Sequence, residues 1–295
     1  MLPQHRISNG RDLFMTETGV ATTIELTGEN FDEIPHAAIY RTPSSSPRML
    51  NQFDRDFTIF IACYNEEENI ISSLEVVVRA MIELDRSWEI IVIDDASRDN
   101  SVSLVKRYMC EHPDYPVILM VREENRGLAQ NYIEGAFLGR GKYYKLVCGD
   151  NVENSRDIVS TLSHAGEVDM VLPYHKNVIY NRTRFRRFVS YLFTRLLNLI
   201  SGYNLKYYNG CGVNLRYNVM RWHSNCQGFD FQADLVMRML EQGKSYMEIP
   251  ITGMERQFGS SKAVTIANFI STARFVGSLV TLRLRKFCRR SRPRG

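Results

Sequence analysis

FTIFIACYNEEENI, residues 57–70, decides the fold. Phe57 to Cys63 form a short, nearly uninterrupted apolar run rich in β-branched and aromatic side chains, the signature of a strand covered on both faces. A polar turn through Tyr64, Asn65 and Glu66 closes it. From Ile70 onward the apolar residues Leu74, Val77, Ala80, Met81 and Leu84 recur at helical spacing. The stretch therefore reads as a strand, a polar turn and a helix.

Outward from this unit the same alternation repeats. WEIIVID (88–94), PVILMV (116–121), YYKLVC (143–148) and DMVLP (169–173) read as strands. Between them lie helical patterns through Val102 and Tyr108, from Leu128 to Leu138, and near Ile158. Continuous apolar strands separated by helices predict an α/β fold: a Rossmann-like αβα sandwich around a mostly parallel sheet. In such sheets ligands bind beyond the carboxyl ends of the strands. Four polar clusters fall there: Tyr64-Asn65-Glu66, Asp94-Asp95, Asn125-Arg126-Gly127 and Gly149-Asp150-Asn151. Any one of them also suits a plain turn or helix cap; four in register predict a polar crevice.

Composition narrows the class. A formal net charge of +4 over 295 residues is too small to point to nucleic acid, and no nucleic-acid partner is expected. The charge is unevenly placed, because no acidic residue follows Glu255 while eight arginines and two lysines do. The six cysteines show no Cys-x-x-Cys spacing and several sit in apolar runs, which argues against zinc and for buried thiols in a reducing compartment. The N-terminus lacks a signal-peptide core, and no stretch of about 20 apolar residues appears. The expected location is cytoplasmic.

The second half is less regular. Residues 182–201 predict a basic amphipathic helix with Arg182, Arg184, Arg186, Arg187 and Arg195 against Phe185, Phe188, Leu192, Leu196 and Leu199. A loop, YYNGCGVNLRY (207–217), follows. Then come a helix from about Gln232 to Gln242, a strand near SYMEIPI (245–251), a loop ERQFGSSK (255–262) and a C-terminal amphipathic helix with a basic tail.

These pieces resemble the inverting family-2 glycosyltransferases of GT-A fold, and within them the dolichol- and polyprenyl-phosphate sugar synthases. The resemblance is carried by Ile61 to Ile70, Ile93 to Asp99, Asn125 to Leu128 and the run from Gly228 through Lys262, in the family's order and spacing. It divides the chain into a loop-rich extension (1–55), a glycosyltransferase domain (56–262) and an amphipathic helix with its tail (263–295).

The resemblance implies a nucleoside-diphosphate sugar donor, with Tyr64, Glu66, Asp94 and Asp95 on the nucleoside. It also implies an Asp-x-Asp motif holding Mg²⁺ or Mn²⁺ on the diphosphate. Here the chain departs from the family, because Cys148-Gly149-Asp150 keeps only the second Asp. Cys is a poor partner for these hard cations, which leaves Asp150 as the expected metal ligand. Asp234, in Gly228 to Asp234, matches the family's acidic residue at a helix start and is the expected general base. An Asp in a first helical turn equally suits the helix dipole. Arg256, Ser261 and Lys262 match the family's Arg-x-x-Gly-x-Ser-Lys loop and are expected on the diphosphate.

The acceptor is expected to be a lipid phosphate, with a saccharide as the alternative. The arginine-rich helix and the basic C-terminus favour an enzyme lying peripherally on the cytoplasmic face of a membrane. The missing Asp also admits a nucleotide-sugar-binding protein without turnover.

Overall fold

A computed structural model of the chain describes residues 22–25, 38–41, 53–176, 184–222 and 230–252, with positions 276, 277 and 281. In chain order the elements are β1 (Thr22–Glu25), β2 (Ala38–Arg41), β3 (Arg55–Cys63), α1 (Ile70–Leu84), β4 (Trp88–Asp94) and α2 (Ser101–Glu111). They continue with β5 (Val117–Val121), α3 (Leu128–Leu138), β6 (Gly141–Cys148), α4 (Ser155–Leu162), β7 (Met170–His175) and α5 (Arg184–Ser201). The last are β8 (Val213–Leu215), α6 (Arg216–Met220), α7 (Phe231–Glu241) and β9 (Tyr246–Ile251).

The sheet runs β1-β2-β5-β4-β3-β6-β8-β7-β9. β5, β4, β3 and β6 are parallel to one another, β8 is antiparallel to both β6 and β7, and β9 is parallel to β7. From β3 the chain builds first toward β4 and β5, then returns to add β6 on the other side. The strand order therefore reverses between β3 and β6, where Ala62 pairs with Cys148. That reversal opens a crevice at the carboxyl ends.

The alternation of side chains divides the core into two layers. Phe57, Ile59, Ile61, Ile90, Val92 and Val147 face α1, α2 and α4, while Phe60, Ile91, Ile93, Leu146 and Leu172 face α3, α6, α7 and Leu197 of α5. Each fully buried Ile, Leu or Phe contributes about 1.5–3 kcal/mol, so the αβα sandwich is held chiefly by these runs.

The structure differs from the sequence reading in three places, the first being α6, which begins at Arg216 inside the stretch read as loop. Val213–Leu215, read as loop, forms β8 and fills the gap between β6 and β7. Three residues are too few to show a period, and their strand character comes from the neighbours on both sides. Within 1–55, read as a loop-rich extension, β1 and β2 extend the sheet beyond β5. The helix and tail from 263 onward fall outside the described residues, apart from the three isolated positions.

Candidate active site

The carboxyl ends of β3, β4 and β6 carry the crevice, and the backbone is strained there. Of four non-glycine residues with positive φ among the described residues, three sit at these ends: Asn65 (54°), Ala96 (64°) and Asn151 (55°). Such conformations are uncommon outside turns and collect at ligand sites when the surroundings enforce them.

The first two loops are stitched together. Asn65 N–H donates to Ser97 Oγ at 2.8 Å, Arg98 N–H to Asn65 Oδ1 at 2.8 Å, and Glu66 N–H to Ser101 Oγ at 2.9 Å. Asn69 donates to Glu66 Oε2 at 3.0 Å. Tyr64 and Glu66 are half-buried on this rim.

Asp94 ends β4 almost fully buried. Its Oδ2 accepts from Ser97 N–H at 2.9 Å, while Oδ1 is buried with no protein partner. Burial raises its pKa, opposed by the hydrogen bonds from Ser97. Asp95 is buried too, and both its oxygens hold the loop after β5. Oδ1 accepts from Arg126 N–H at 2.8 Å and Oδ2 from Gly127 N–H at 2.9 Å, while Asn125 donates to the Asp95 carbonyl at 3.1 Å. Three of the four polar clusters are thereby locked into one rim.

The fourth cluster follows β6. Gly149 N–H donates to the Ala62 carbonyl at 2.9 Å, and a Cβ there would lie 2.7 Å from that oxygen, so only glycine lets the turn sit this close to β3. Asp150 and Asn151 follow on the turn, and Asn151 Oδ1 is buried without a protein partner. A carboxylate beside an unsatisfied amide oxygen is a hard donor set suited to Mg²⁺ or Mn²⁺. Cys148 is a packed residue beside it: its hydrogen bond with the Cys211 thiol, together with burial, pushes its pKa well up. A neutral thiol does not bind hard cations.

Asp234 lies in the first turn of α7, 4% exposed. Its carboxylate accepts from Trp222 Nε1 at 2.9 Å and from Arg238 Nε at 2.9 and 3.0 Å. It therefore anchors α7 as well as lying in the expected segment. Arg256, Ser261 and Lys262 fall outside the described residues, but the origin of their loop is held. Asp157 of α4 accepts from Thr252 N–H at 3.2 Å, just beyond β9 and at the same end of the sheet as Asp150.

Residues 58–221 match the family described as glycosyl transferase family 2. The chain belongs to glycosyl transferase family 2. Among its relatives, a dolichyl-phosphate beta-glucosyltransferase of Trichomonas vaginalis is 25% identical over 249 residues, covering 76% of this chain and 72% of that one. An undecaprenyl-phosphate mannosyltransferase of Micrococcus luteus is 26% identical over 212 residues, covering 68% and 85%. Among solved structures, a mannosyltransferase of Pyrobaculum calidifontis in complex with GDP-Man and Mn²⁺ superposes with a TM-score of 0.56 at 19% identity, covering 82% and 67%. The last likeness establishes the GT-A fold of this family-2 glycosyltransferase.

Sequence reasoning missed Lys145 beneath the crevice, Trp222 as the partner of Asp234, and the polar residues Tyr174, Lys206 and Tyr207 at the end of β7. Lys145 left one signal, a lysine at the centre of an apolar strand. Trp222 and the others left none, since only the packed chain brings them to their partners.

Proposed function

We propose that this glycosyltransferase moves a sugar, with inversion, from a nucleoside-diphosphate donor to a polyprenyl phosphate at a membrane surface. The observation that carries the acceptor is a cavity of about 390 Å³ where β7 ends, walled by α5 and residues 204–207. Arg187, Arg195 and Lys206 line it with Tyr174, Tyr191 and Tyr207, and no acidic side chain lines it. Lys206 is held by the Tyr174 hydroxyl at 3.0 Å. Glu248 accepts from Lys206 N–H at 2.6 Å outside the lining, and the three cations that line the cavity suit a phosphate monoester.

Beside the cavity α5 carries an apolar stripe at helical spacing that is exposed among the described residues: Phe188 (60% exposed), Leu192 (55%) and Leu199 (82%). The helix has four arginines and no acidic residue. An apolar stripe flanked by cations lies well on an anionic bilayer, each nearby basic residue adding about 1 kcal/mol. No helix among the described residues is long and apolar enough to cross a membrane. The exposed stripe and its arginines are the reason for reading the contact as peripheral, at the cytoplasmic face, and the names of the two relatives support the lipid acceptor.

On the donor side, Tyr64, Glu66, Asp94 and Asp95 would take the nucleoside and Asp150 with Asn151 a divalent cation. When bound, that cation supplies charge neutralisation on the diphosphate leaving group. Arg256, Ser261 and Lys262 would meet the same phosphates. A lipid monophosphate, with a second pKa near 6, is largely ionised at neutral pH. Its oxygen attacks the anomeric carbon without a general base, so Asp234 is required as a base only for a hydroxyl acceptor.

The test is to supply labelled sugar nucleotides with polyprenyl phosphate in anionic vesicles, or with oligosaccharides. Transfer to the lipid is expected. Transfer to saccharide alone overturns the lipid acceptor, and donor binding without transfer or hydrolysis overturns the enzyme reading.

A further inference from the structure

Lys145 occupies a position where a lysine is costly. Period-two alternation along β6 puts it on the same face as Tyr143 and Val147, both core residues beneath α1 and α4, and its side chain is fully buried. An ammonium removed from water costs several kcal/mol unless charge and hydrogen bonds replace the solvent. Both are present. Lys145 Nζ donates to Glu153 Oε2 at 2.7 Å and to the Cys211 carbonyl at 2.7 Å, with a longer contact of 3.4 Å to the Leu146 carbonyl.

Its two main partners belong to different loops. Glu153, 10% exposed, is three residues beyond Asp150 on the turn that leaves β6. Cys211 lies on the segment that runs from the cationic cavity at Lys206 and Tyr207 to β8. One buried charge thus closes the donor-side turn against the acceptor-side loop.

We infer that Lys145 is a positioning residue: through Glu153 and Cys211 it fixes the Asp150 turn and the 209–212 loop at the separation that brings donor and acceptor phosphates into line. The inference rests on the donor and acceptor sides assigned above. Neither Lys145 nor Glu153 need touch substrate. An error of about 1 Å in such a geometry is enough to cost on the order of a hundredfold in rate.

A plain structural ion pair and a positioning residue are separated by the variant Lys145→Met with Glu153→Gln. It removes both charges at once, leaving no lone buried charge and keeping the fold. Three readouts are compared with wild type: thermal unfolding, donor-nucleotide affinity by calorimetry, and the ratio of sugar transfer to donor hydrolysis. Cooperative unfolding and unchanged affinity are expected, with kcat for transfer about 10–100-fold lower and the ratio shifted toward hydrolysis. Wild-type turnover and partition in the double variant overturn the inference. Should the double variant fail to fold, Lys145→Met with Glu153→Leu, which buries neither a lone charge nor an unpaired amide at this pair, is read on the same scale, and unchanged kcat there also overturns it. If the wild type ignores lipid phosphate, the acceptor reading falls by itself, and the same variants scored on saccharide transfer still decide the role of Lys145.

Discussion

Trp222 donates its indole N–H to Asp234 Oδ2 at 2.9 Å, joining the chain after α6 to the first turn of α7 in the core. Arg238, one turn further along α7, closes on the same carboxylate. Hydrogen bonds to a charged group contribute about 1.5–3 kcal/mol, so this carboxylate helps hold the helix that packs beside Gly210, Cys211 and Gly212. Asp234→Asn is expected to lower stability by about 1–3 kcal/mol in a urea titration and to lower kcat more than donor affinity. Unchanged stability would remove its anchoring role.

Asp95 offers a sharper test of the proposed nucleotide rim, because its two oxygens accept from the consecutive N–H groups of Arg126 and Gly127. Asn in its place keeps one acceptor and turns an N–H₂ toward a backbone donor. Loss of one charge-assisted hydrogen bond predicts at least about a tenfold fall in nucleoside-diphosphate affinity, measured by calorimetry. Wild-type affinity in Asp95→Asn would show that the loop does not shape the nucleotide site.

For the cation, Asp150→Ala is expected to abolish Mn²⁺ binding in the presence of nucleoside diphosphate, and Asn151→Ala to weaken it. Cys148→Ser is expected to leave it unchanged, since the thiol is neutral and packed against Cys211. Paramagnetic titration of free Mn²⁺ reads all three. Retained binding in Asp150→Ala would reject that residue as the ligand.

A pH effect follows from Asp56, whose pKa falls from 3.8 to about 2, chiefly through the Arg86 guanidinium at 2.6 Å and with help from Ser87. The folded value is depressed, so the stability it contributes is present above about pH 4 and is lost as the pH falls through about 2. Both partners are substantially exposed, which limits the pair to about 1 kcal/mol or less. Asp56→Asn should therefore show a small stability deficit at pH 6 that vanishes toward pH 2. A deficit constant across that range would exclude the linkage.

The strand and helix pattern from Phe57 to His175 was legible in the sequence because each strand is apolar on both faces and each helix carries a 3.6-residue stripe. The polar clusters at the strand ends were legible for the same reason, since a parallel sheet leaves its ligand side there. The amphipathic helix ending at Ser201 was also readable. The sequence could not say that Asp95 spends both oxygens on the loop at Gly127, or that Asp234 is shared with Trp222 and Arg238. Nor could it show that Lys145 meets Glu153 and Cys211.

Periodicity is a local property, set by how each residue faces the sheet or helix axis, so one sequence is enough to read it. Hydrogen-bond partners 12 to 66 residues apart are chosen by packing, which decides which polar groups lose water and must find one another. By itself the sequence determined the layers of the sandwich and the end that carries the site. Only the tertiary structure decided which carboxylates face inward to hold the loops, and that β8 would complete the sheet beside β6.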